Sequence, residues 1–164
     1  MKTEVLIGGK SVELLCNGAT PILYRYAFGE DFLAFMMRKA KIQASDPRRP
    51  NEELQNMTLE ERQAYIAELS EYGELAMNLL SEMETAVGQL AYIMAYQAKA
   101  GISAAVTGVS QQNYLTWLTQ FMPGDISAAM REILAAYNLS AKTLTQPKNA
   151  SDRSTESTTQ PSML

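Results

Sequence analysis

With 164 residues, of which 46% are hydrophobic and 20% charged, the chain has the composition of one globular domain and not of a disordered segment. A formal net charge of −4 argues against a general nucleic-acid binder, which needs a concentrated basic surface to neutralise phosphates. The absence of histidine removes the commonest general base and the commonest metal ligand together, and the lone Cys16 excludes an internal disulfide.

Two short runs with partial alternation, residues 3–7 and 11–16, flank Gly8-Gly9-Lys10. Gly-Gly between such runs signals a β-hairpin. A lone hairpin is marginal in water, so it must lie on another element, and the nearest candidate is the helix that follows. Cys16 ends the second strand and reads as a small packing residue, since no histidine is present to activate it.

The segment at residues 20–42 is the most sharply bounded helix signal. Thr20 suits an N-cap and Pro21 the first turn, and Tyr24, Phe28, Phe32, Phe35 and Met36 recur at helical spacing. Arg38, Lys39 and Lys41 sit near its C-terminal end, where cations suit the helix dipole. Gly29 implies either a kink or a break into two shorter helices.

The run Asn17-Gly18-Ala19-Thr20-Pro21-Ile22-Leu23-Tyr24-Arg25, followed by Phe28-Gly29-Glu30-Asp31-Phe32, resembles the opening of tail assembly chaperones of long-tailed bacteriophages and prophages of Gram-positive hosts. In that family two short strands precede a Thr-Pro, a Tyr-Arg and a Phe-Gly-x-Asp. The approach to the C-terminus, from Tyr137-Asn138-Leu139 to Pro147-Lys148, resembles the end of the same family. The likeness covers about half of the chain and is loose through the acidic middle. It implies a non-enzymatic chaperone without cofactor or metal, which binds the tape-measure protein and delivers it with the major tail protein to tail assembly. It also implies residence in the host cytoplasm, absence from the mature virion, and often a second, longer form made by frameshifting.

After residue 42 two prolines and no apolar periodicity mark a loop through residue 51. Its Arg48 and Arg49 join Arg38, Lys39 and Lys41 in a basic cluster that is either solvated or turned toward an acidic partner. Thr58 and Glu61 form a capping-box pattern that opens a helical segment over residues 58–99. Ile66, Leu69, Gly73, Ala76, Leu80, Met83, Val87, Leu90 and Met94 alternate spacings of three and four, so one face must lie along another helix. A break near Gly73 or Ser81 would make this segment a helical hairpin.

The same segment carries Glu68, Glu71, Glu74, Glu82 and Glu84 with no Lys or Arg between Arg62 and Lys99. Glu68, Glu71 and Glu74, three apart, can share one face, which leaves open an all-carboxylate magnesium site of a small helical hydrolase beside the plainer reading of a solvated acidic face. Di-iron bundle chemistry would add histidines that the chain lacks.

Small residues dominate 101–108. Ser110 then caps a helix over 110–121, with Tyr114, Trp117, Leu118 and Phe121 on one stripe, and a further helix spans 125–140 with Ile126, Ala129, Met130, Ile133, Leu134 and Tyr137. From about residue 145 the Ser/Thr-rich end reads as a flexible tail.

The expected architecture is therefore mainly α with some β (α+β): a short N-terminal hairpin on a helical bundle spanning residues 1–144, with a disordered tail over 145–164. The aromatic and basic face around Tyr24, Arg25, Phe28 and Trp117 is the candidate partner surface, and oligomerisation is open. No apolar run approaches the ~20 residues that cross a bilayer, so neither a membrane nor a nucleic acid is an expected partner. A virion tail structural or completion protein is the alternative within the same phage context.

Overall fold

The computed structural model describes residues 2–145; Met1 and residues 146–164, and with them the expected tail, lie outside the described residues. Strands β1 (Lys2–Ile7) and β2 (Lys10–Leu15) pair antiparallel, with Val5 opposite Val12 and Ile7 opposite Lys10. Gly8 and Gly9 hold φ of 57° and 76°, the two positive values that a tight two-residue hairpin turn requires. Alternation buries Val5, Ile7 and Leu14 on one face and leaves Leu6 on the other.

The hairpin does not take its support chiefly from the helix that follows it. β2 lies on α4 and β1 on α6, two helices from the far half of the chain. The aliphatic side chains of the inner face need a broad apolar surface, and α4 and α6 supply one through Val87, Leu90, Ile93, Met94 and Ile133.

The Thr20 helix is two helices, α1 (Thr20–Phe28) and α2 (Phe32–Ala44). Gly29 adopts a left-handed conformation at φ 73° and its N–H returns to the Arg25 carbonyl at 2.8 Å, which terminates α1. Two residues later the Asp31 carboxylate accepts from the Leu33 N–H at 2.9 Å and starts α2. Arg25 also pairs with Asp31, and these two donors hold the Asp31 carboxyl below its ordinary range.

The N-cap of α1 is Ala19, and Thr20 is already helical. The Thr20 hydroxyl serves a tertiary contact instead: it accepts from Asn17 N–H at 2.9 Å and donates to Gln97 Oε1 at 2.7 Å.

Between the expected loop and the Thr58 cap a short helix not foreseen from the sequence, α3 (Asn51–Gln55), follows Pro50. Proline at its entry and Glu52 and Glu53 in its first turn supply the start signal. The helix α4 (Leu59–Ala100) is unbroken through Gly73 and Ser81. Both halves of its capping box form: Glu61 N–H donates to Thr58 Oγ1 at 3.3 Å and Thr58 N–H to Glu61 Oε2 at 2.7 Å.

At 42 residues α4 is about 63 Å long. Its first buried residue is Leu79, so its C-terminal half forms the spine of the core while the half before Leu79 extends from it as an arm.

Two 3₁₀ turns, Gly101–Ser103 and Val106–Gly108, lead into α5 (Gln111–Leu118) and α6 (Asp125–Thr145). Tyr96 Oη clamps the first connection, donating to the Ala105 carbonyl and accepting from the Ala105 N–H, each at 3.1 Å. Ser110 Oγ caps α5 by accepting from Asn113 N–H at 3.0 Å. α5 stops at Leu118, one turn earlier than the apolar stripe suggests, and α6 runs past residue 140. No buried side-chain polar atom among the described residues lacks a hydrogen-bond partner.

Candidate interaction surface

The four residues singled out from the sequence fall in three different environments. Tyr24 is buried, its hydroxyl donating to Gln89 Oε1 at 2.9 Å. Burial, reinforced by the Glu30 carboxylate, pushes the Tyr24 phenol well above its ordinary pKa. Phe28 packs edge-on against Tyr24 with ring centroids 5.1 Å apart, and against Tyr114 at 5.5 Å.

Trp117 is half-buried and continues the same array, 6.0 Å from Tyr92 and 4.8 Å from Phe121. Three of the four are thus joined in one aromatic row that runs from α1 across α4 to α5. Arg25 alone faces outward, held by Asp31. Edge-to-face contacts of this kind hold elements together, and through Tyr24 and Phe28 they tie α1 to α4 and α5.

Trp117 has a second exposure. Together with Val12, Tyr92, Tyr96, Lys99 and Gln120 it lines an open cleft of about 600 Å³ between β2, the C-terminal end of α4 and α5. Lys10 closes one side of the hairpin against the turn after α5, donating to the Gln120 carbonyl at 2.8 Å and lying 5.9 Å from the Phe121 ring.

The outward apolar residues lie elsewhere. α1 presents Ile22 and Tyr26 one turn apart, and α2 presents Leu33 and Met37 one turn apart, all four between 60% and 66% exposed. Leu59, Ile66 and Met77 on the α4 arm, and Leu80 just past it, are between 62% and 73% exposed. Sequence reasoning missed Ile22, Tyr26, Leu33 and Met37 because apolar residues occupy most faces of these two helices, and periodicity does not say which face turns inward.

The basic cluster is largely matched within the chain. Arg38 bridges Glu30 at 3.0 Å and Glu82 at 2.8 Å, Arg48 donates to Asp46 at 2.7 Å, and Arg49 lies 3.6 Å from Glu68 with its guanidinium over the Tyr65 ring. Arg49 straps the loop onto the arm, Arg48 and Asp46 pair within the loop, and Arg38 ties α2 to α4, although each pair is exposed and worth little alone. With Glu68 so engaged, Glu71 and Glu74 remain exposed, and no group of three or more His, Cys, Asp or Glu among the described residues is placed to hold a metal ion. No helix among the described residues is long and apolar enough to cross a membrane.

Gly73 stands apart from the other helical glycine. At Gly88 an added Cβ would lie 2.7 Å from Tyr114 Oη, so close packing accounts for it; at Gly73 nothing lies within 4 Å. An interior helical glycine costs about 1 kcal/mol relative to alanine, and at Gly73 the fold shows no compensating contact. The chain matches no family model, no curated protein and no solved structure.

Proposed function

We propose that this chain is a tail assembly chaperone of a long-tailed bacteriophage or prophage, binding the tape-measure protein in the host cytoplasm and passing it, with the major tail protein, to tail assembly. The motif resemblance over residues 17–32 and 137–148 supplies the class. The observation that carries the reading physically is the outward placement of Ile22, Tyr26, Leu33 and Met37 on the two helices that bear the motif. A long helical client exposes apolar stripes at spacings of three and four. Side chains one helical turn apart offer a complementary row, and methionine adapts to irregular partners.

On this reading the buried aromatic row shapes the binding helices, and the surface residues make the contact. Arg25, exposed beside Tyr26, adds a cation at the edge of the row. Binding needs no chemistry beyond apolar burial, so the protein works without a cofactor.

The test is co-expression with the tape-measure protein of the same phage or prophage. The partner is expected to become soluble and to co-elute with this chain on size exclusion, while purified virions contain the partner and not the chain. A partner that stays insoluble and unbound, with any frameshifted long form also supplied, contradicts the reading. Detection of the chain in virions favours a structural tail component instead.

A further inference from the structure

We infer that the α4 arm is a self-association surface, on which a second copy of this chain crosses antiparallel at Gly73. The seam that is buried in the second half of α4 continues without interruption onto the arm. In heptad register, Leu59, Ile66, Gly73, Leu80, Val87 and Met94 occupy one core position, and Arg62, Leu69, Ala76, Met83, Leu90 and Gln97 the other. From Met83 onward these residues are buried by the chain's own body, whereas Leu59, Ile66 and Leu80 are exposed. The arm therefore carries a coiled-coil face that only the short helix α3 borders, beside Arg62 and Ile66, and that no long helix among the described residues opposes.

Gly73 points to what approaches. It sits midway between Ile66 and Leu80 on that face, next to Ala76, and a Cβ added there would have no described neighbour within 4 Å. Small residues flanked by large apolar ones suit two backbones crossing closely.

Charge selects the occupant. The flanking positions on the open side are Gln63, Ser70, Met77 and Glu84, of which only the last is charged, while Glu68, Glu71 and Glu74 fall on the outer positions. An acidic chain can thus meet its own copy without repulsion, and the seam has no carboxylate row to attract a basic partner. Arg62 and Glu84 lie eleven residues to either side of Gly73. A twofold axis at Gly73 brings Arg62 of each copy to Glu84 of the other, whereas parallel pairing would set like charges together. Residues 146–164 contain no Val, Ile, Phe, Trp or Tyr with which to fill such a seam.

This contact does not rest on the tape-measure reading. Sedimentation velocity of the full chain across a concentration series is expected to show a reversible dimer. Ile66→Glu with Leu80→Glu should weaken it by at least about tenfold, with an unchanged melting curve measured by circular dichroism, because both side chains are exposed in the single chain.

In a Cys16→Ser background, Arg62→Cys mixed with Glu84→Cys is expected to form an intermolecular disulfide on oxidation, and Arg62→Cys alone is not. A chain that is monomeric at every concentration, a dimer that survives both glutamates, or a disulfide formed by Arg62→Cys alone overturns the proposal. So does an arm that is protected only by tape-measure segments while the chain stays monomeric.

Discussion

Thr20 Oγ1 donates a 2.7 Å hydrogen bond to Gln97 Oε1, and both side chains are fully buried. Gln97 Nε2 in turn donates to Asn17 Oδ1 at 2.7 Å, and Asn17 N–H donates to Thr20 Oγ1 at 2.9 Å. The three residues close a ring that fixes the start of α1 to the last turns of α4, across 77 positions of sequence. Replacing Thr20→Val keeps the shape but strands Gln97 Oε1 and the Asn17 N–H. A loss of about 2–3 kcal/mol is expected, because buried polar groups left unpaired cost their full desolvation. In a chain of this size that corresponds to a fall of roughly 5 °C or more in melting temperature, readable by calorimetry.

The two helical glycines of α4 predict opposite responses to the same substitution. Gly88→Ala places a methyl 2.7 Å from Tyr114 Oη and 3.4 Å from Ile126 Cγ2, and the displaced ring is expected to cost about 1–3 kcal/mol despite the gain in helix propensity. Gly73→Ala meets nothing, so at concentrations where the chain is monomeric it should stabilise by up to about 1 kcal/mol. Denaturant titrations of the two variants side by side check the difference in sign.

Alkaline pH should unfold the protein earlier than surface tyrosines would. Burial raises the phenols of Tyr24, Tyr92 and Tyr137, and burial with the Glu84 carboxylate pushes Tyr114 up to about 12. The folded state then holds protons that the unfolded chain releases near pH 10. This contribution is fully present below about pH 10 and is lost progressively as the pH rises toward the folded values. Urea midpoints measured from about pH 8 to 11 are expected to fall above about pH 10, and the fall should be shallower in Tyr24→Phe.

The local signals were legible: the Gly-Gly turn, the Thr58 and Glu61 capping box and the apolar stripe of α6 each appear where residue chemistry puts them. What escaped was tertiary. Nothing local distinguishes a hairpin resting on α1 from one resting on α4 and α6, because the pairing spans most of the chain. Thr20 followed by Pro21 reads as a cap, yet its partner is Gln97, which as one uncharged polar residue in a long helix gives no hint of burial. Tyr24 and Phe28 drew attention as aromatics, while the exposed Ile22 and Tyr26 beside them carry the same hydrophobic signal and differ only in the face they occupy.

On the proposed function, the outer face of α1 and α2 holds the client. The direct measurement is recovery of soluble tape-measure protein on co-expression with Tyr26→Glu/Met37→Glu, compared with the unaltered chain. Both side chains are at least 60% exposed, so the double variant should fold and melt normally. The double variant is expected to leave the partner insoluble and unbound; a folded double variant that solubilises the partner as well as the unaltered chain rules out this face as the client site.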